Sequence, residues 1–161
     1  MSTLDKKHPY LEDDVQSFME EFGIMMDYVV SFLHYNPNDF IQMFLATNLP
    51  LNIEHGNPKY ILGKSGRELA YDVICKYNNL ESIDFDDNNW QYQPSIDYWS
   101  GSMLVLYQWH ANIPYKEILE NVSLDDIYKM YSKYHQMDET KFLDRMDEII
   151  SKKKSLEIQC H

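Results

Sequence analysis

Basic side chains are scarce in this chain and cysteine is scarcer. Against 26 Asp and Glu stand 14 Lys and Arg, and only two of these are arginines, Arg67 and Arg145, so the formal net charge is −12 over 161 residues. Binding to nucleic-acid phosphates needs a basic surface that displaces counterions, and this balance argues against it. The two cysteines, Cys75 and Cys160, lie far apart. They offer no disulfide framework and point to a reducing, intracellular compartment. The N-terminal MSTLDKKHPYLEDD holds no apolar run of signal-peptide length, and no run elsewhere approaches the roughly 18 residues of a membrane span. A soluble cytoplasmic protein is expected. Catalytic and ligating spacings are missing too: there is no H-E-x-x-H, C-x-x-C or E-x-x-H, and no glycine-flanked nucleophile serine. The expectation is therefore a non-enzymatic protein with no metal and no cofactor.

What the chain does have is aromatic and apolar mass. Thirteen Tyr, seven Phe and three Trp, with 44% hydrophobic residues, are the composition of a folded domain. A chain of this length buries roughly 68–70% of its unfolded surface, enough for one domain without cross-links. The most apolar stretch is Ser95 to Ala111, SIDYWSGSMLVLYQWHA. A helix that is apolar on nearly every side must be enclosed by others, so 95–111 reads as the central helix. Its Tyr98, Trp99, Gly101, Tyr107 and Trp109 are the expected structural core, and Ser100-Gly101-Ser102 would let a neighbouring backbone approach. An alternative use of Tyr98, Trp99 and Trp109 is the wall of a small-ligand pocket. His110 with Tyr107 is the first enzymatic suspicion.

Around this stretch the periodicity is helical throughout. Val15, Phe18, Met19, Phe22, Met25, Met26, Val29 and Val30 recur every three or four residues, predicting a helix over about 11–34 that ends at Tyr35-Asn36-Pro37. A second spans about 38–48, followed by an irregular stretch over 51–63. Gly63-Lys64-Ser65-Gly66 matches only the tail of a phosphate-binding loop, because Pro58 stands where the first glycine belongs. Ser65-Gly66-Arg67-Glu68 fits a capping box that opens the next helix. Pro114 starts a short helix, Ser123 caps another, and a last one begins near Asp138, with Lys152 to Lys154 at its end. No strict alternation competes. The fold expected is all-α: a single-domain bundle of about six or seven helices over residues 1–154, with 155–161 frayed.

The segment Tyr77 to Pro94 is polar and acidic. Between Lys76 and Lys116 there is no Lys or Arg, while Glu81, Asp84, Asp86, Asp87 and Asp97 crowd its first half. A calcium loop starting at Asp84 is excluded, since Asn89 and Ser95 stand where Gly and Glu are needed. Acidic groups around aromatics suit a protein interface, which makes Asp84, Asp86, Asp87 and Trp90 the candidate partner-binding residues. Such a field steers association with a basic protein. A second reading of the same charge is an acidic nucleic-acid mimic that blocks a DNA- or RNA-binding protein.

Four segments, DFIQMFLAT (Asp39–Thr47), NPKYILGKSGRELA (Asn57–Ala70), YWSGSMLVLYQWH with PYKEIL (Tyr98–Leu119) and SLDDIYKMYSKYHQMDETKFLDRMDE (Ser123–Glu148), follow one another in an order that resembles a small, largely uncharacterised bacterial family. Its members, common in Gram-positive gut bacteria, share a Tyr-Trp-x-Gly…Tyr-Gln-Trp segment. Their genes often sit in operons resembling toxin–antitoxin modules, beside an ADP-ribosyltransferase-like toxin. This chain departs from them at Ser102, where family members usually carry an aromatic. The resemblance implies an antitoxin-like or accessory protein that neutralises its partner by direct contact, and it implies no catalytic residues.

Overall fold

The computed structural model describes residues 7–84 and 89–159. Among them are nine α-helices and no strand: α1 (Glu12–Ser31), α2 (Pro37–Leu45), α3 (Leu49–Glu54), α4 (Pro58–Ile61), α5 (Gly66–Asn78), α6 (Ile96–Ala111), α7 (Tyr115–Asn121), α8 (Leu124–Tyr134) and α9 (Glu139–Gln159). The all-α expectation holds. The helices beyond the expected six or seven are α3 and α4, inside the stretch read as irregular. Each has a proline in its first turn, where the missing N–H leaves no bond unmade, and the Asn57 side chain caps α4 by accepting from Lys59 N–H at 3.0 Å.

The expected central helix, α6, shares the middle of the molecule with α1, its most extensive packing partner. The two backbones close on each other at small residues. A Cβ on Gly101 would lie 2.8 Å from Met26 Cγ, and one on Gly23 would lie 2.6 Å from Ser102 Oγ and 2.8 Å from the Tyr98 carbonyl. α5 covers α1 from another side, with Gly66 set against the Glu21 carbonyl and Ile24. Phe22, Phe44 and Tyr115 form a ring cluster with centroids 5.3–6.2 Å apart, joining α1, α2 and α7. Edge-to-face and offset contacts of this kind add to what area burial alone gives.

Asp27 is almost fully buried in α1, and its carboxylate accepts from Ser95 Oγ at 2.6 Å and from Gln93 N–H at 2.9 Å. That satisfies the charge and fixes where the acidic segment ends and α6 begins. Ser95 Oγ in turn caps α6 by accepting from Tyr98 N–H.

Two expectations need correction. Of the five residues assigned to the core, Gly101 and Tyr107 are buried, whereas Tyr98, Trp99 and Trp109 are half-buried. These rings lie where α6 emerges from under its neighbours, each with one face or edge packed and the rest reaching the surface. The last helix does not stop at its lysines: SKKKSLEIQ contains neither Gly nor Pro, and α9 continues to Gln159 with residues 151–159 exposed on every side. Cys160 and His161 lie outside the described residues.

Candidate functional site

The clearest concavity is a half-open cleft of about 470 Å³ between the first half of α1, the first half of α6 and the turn joining α8 to α9. Helical periodicity places Gln16 and Glu20 of α1 on its rim and Met19 deeper in. α6 supplies Tyr98, Trp99 and Met103, and the α8–α9 turn supplies Tyr134, His135 and Glu139. The ring of Trp99 is wedged edge-on between Tyr131 and Phe142, at 5.6 and 5.5 Å. Tyr98 is stacked on Tyr92 at 5.3 Å. Burial, helped by the nearby Glu20, Tyr92 and Glu21, pushes the Tyr98 phenol up to about 12. Ser102 Oγ is committed to the Met19 carbonyl at 2.9 Å.

Tyr92, on the far side of the stack, lines a second groove of about 550 Å³ with Glu21, Arg67 and Trp90. The Tyr92–Tyr98 pair is thus a ridge shared by two hollows. Neither hollow is lined by a lysine, and Arg67 is the single arginine of the pair.

The chain matches no family model, no curated protein and no solved structure. Its chemistry therefore has to be read from its own side chains.

The candidate partner-binding residues separate. Asp84 is exposed; Asp86 and Asp87 lie outside the described residues. Trp90 is docked: its ring meets Tyr28 edge-on at 4.9 Å, its Nε1–H points to Ser31 Oγ at 3.4 Å, and the Arg67 guanidinium lies 6.0 Å from its centroid. It pins the acidic segment to α1 and α5.

The phosphate-loop alternative fails for a local reason. Ser65 Oγ accepts from Glu68 N–H at 3.2 Å and Glu68 Oε1 accepts from Ser65 N–H at 2.9 Å, completing the capping box, while Glu21 Oε1 takes Gly66 N–H at 2.8 Å. The positive end of α5 already faces carboxylates, and Lys64 is turned to Asp72 at 3.2 Å.

Tyr107 and His110, the enzymatic suspects, do meet. Tyr107 donates to Asp147 Oδ1 at 2.7 Å and His110 Nε2 lies 3.2 Å from Asp147 Oδ2, so one carboxylate of α9 clasps two residues of α6. None of the three lines either hollow. Burial and Asp147 raise the Tyr107 phenol, which favours a fixed neutral donor. Among the described residues there is no group of three His, Cys, Asp or Glu side chains placed to hold a metal ion. Among the described residues no helix is long and apolar enough to cross a membrane.

The cleft is what sequence reasoning missed. Its walls come from residues 16–20, 98–103 and 134–142; of the three rings offered as a pocket wall, Tyr98 and Trp99 line it and Trp109 does not, and the other two walls carried no signal.

Proposed function

We propose that this is a non-enzymatic binding protein that engages a positively charged protein partner by direct contact. In its most concrete form the contact is antitoxin-like and neutralises a toxin, with the ADP-ribosyltransferase-like proteins implied by the family resemblance as first candidates. The observation that carries the reading is the sign of the charge on the concave face. Glu20, Glu139 and Glu21 line the two hollows against one arginine, on a chain of net charge −12. Walls of low dielectric focus such a field, which raises encounter rates with a basic partner and disfavours acidic ones. Exposed Asp84 extends the same sign along the segment pinned by Trp90.

The test compares co-purification from the native host, at low and high salt, for the wild-type chain and a variant carrying Asp84→Lys, Asp86→Lys and Asp87→Lys. One stoichiometric protein partner, retained by the wild type at high salt and lost from the variant, is the expected result. Wild type recovered alone at both salts, or a partner held equally by the variant, sinks this interface. A partner that leaves steeply with salt favours nucleic-acid mimicry instead, since exposed charges are screened within about 8–10 Å at such ionic strengths.

A further inference from the structure

The geometry points to an organic cation, a protonated or alkylated amine, as the ligand of the cleft between α1, α6 and the α8–α9 turn, seated against Tyr98 and Trp99 with Glu20 and Glu139 as its counter-charges. The inference rests on the reading of the concave face given above and narrows it to one receptor. At about 470 Å³ the cleft has the size of an ordinary small-molecule site. Two carboxylates and no lysine or arginine line it, and among the described residues neither Glu20 nor Glu139 is in an ion pair. A negative, concave surface with two unpaired carboxylates lacks a cation.

The aromatic part of the lining, Tyr98 and Trp99, narrows the cation to an organic one. Aromatic faces carry negative quadrupole density and hold ammonium groups, alkylated ones in particular. Tyr98 is already fixed by its stack on Tyr92, and Trp99 by Tyr131 and Phe142, so binding would order little. Met19 and Met103 add polarisable surface without donors, and the Ser102 hydroxyl is spent on the Met19 carbonyl. An anion would meet Glu20 and Glu139 with no lysine or arginine beside them. The shared chemistry allows two sources, a free amine or a lysine side chain of a partner.

The test is a titration of the full ¹⁵N-labelled chain at constant ionic strength and constant pH. The indole N–H signals of Trp90, Trp99 and Trp109 are followed. Tetramethylammonium chloride represents a free cation and Nα-acetyl-lysine methylamide a side chain, with tert-butanol as an uncharged shape control. We expect a saturable shift of the Trp99 signal with at least one cation and none with tert-butanol. Binding should be about tenfold weaker in Glu20→Gln/Glu139→Gln, whose two sites are exposed and can be changed without unfolding the chain. The tighter cation names the source. No saturable shift from either cation, an equal response to tert-butanol, or unchanged affinity in the double variant overturns the proposal. A chain that still captures its protein partner yet ignores both cations fails the cation site alone.

Discussion

Gly23 and Ser102 meet where α1 crosses α6, and the contact has almost no slack. A methyl group on Gly23 would stand 2.8 Å from the Tyr98 carbonyl, a backbone atom that moves only if α6 moves. Alanine gains about 1 kcal/mol of helix propensity over glycine, but overpacking of this kind costs about 1–3 kcal/mol. Because the clash is with backbone, the cost falls in the upper part of that range, about 2–3 kcal/mol, and Gly23→Ala should lower stability by about 1–2 kcal/mol net, read as a drop in the urea midpoint at unchanged slope. A midpoint equal to wild type would mean the two helices can part freely. Half of this contact was visible beforehand, since Ser100-Gly101-Ser102 stands out in an apolar run. Gly23 was not, because a lone glycine inside the regular pattern of α1 carries no sign of what it faces. The half-buried state of Tyr98, Trp99 and Trp109 was hidden for the same reason. Their residue type announces burial, and only the packing of the neighbouring helices decides how much.

Helix ends were more readable than helix faces, because capping is local chemistry. Ser65-x-x-Glu68 and Ser123-x-x-Asp126 both form the reciprocal bonds expected of a capping box. Ser65→Ala removes the acceptor of the Glu68 N–H and should destabilise the chain by about 1 kcal/mol, with Ser65→Gly milder. Thermal unfolding of the two variants side by side checks the order. A Ser65→Ala midpoint above that of Ser65→Gly would mean that the cap does not support α5. Asn57-Pro58 carried a comparable signal for α4, and the brevity of that helix, four residues, kept the surrounding stretch looking irregular. The end of α9 was misplaced because terminal lysines suit a helix end without imposing one. The cleft was beyond sequence reasoning, for it exists only once the α8–α9 turn has closed over the first halves of α1 and α6.

Tyrosine gives the folded chain a common vulnerability. Burial raises the phenols of Tyr10, Tyr98, Tyr107, Tyr115 and Tyr128 above their ordinary value, and Tyr107 and Tyr128 also donate to the carboxylates of Asp147 and Asp97. Tyr10 and Tyr115 have buried hydroxyls with no hydrogen-bond partner among the described residues. For each group the folded value lies above the unfolded one, so the stability tied to the neutral phenol is complete below about pH 10 and is lost as pH climbs beyond it. The urea midpoint should hold steady up to about pH 10 and then fall steeply, with tyrosinate absorbance rising in step with unfolding. Tyrosinate that appears fully while the helices persist would show that these phenols ionise in place.

The carboxylate of Asp27 has a consequence for the order of events during synthesis. It lies in the first helix, yet its partners are Gln93 and Ser95, 66 and 68 positions later. At about 5–20 residues per second, a ribosome needs roughly 3–13 s to deliver them. Until they exist the carboxylate has neither native partner, and burial against any other surface would leave its charge unpaired. The charge that locks α6 into place therefore disfavours burying α1 against any surface that lacks matching donors.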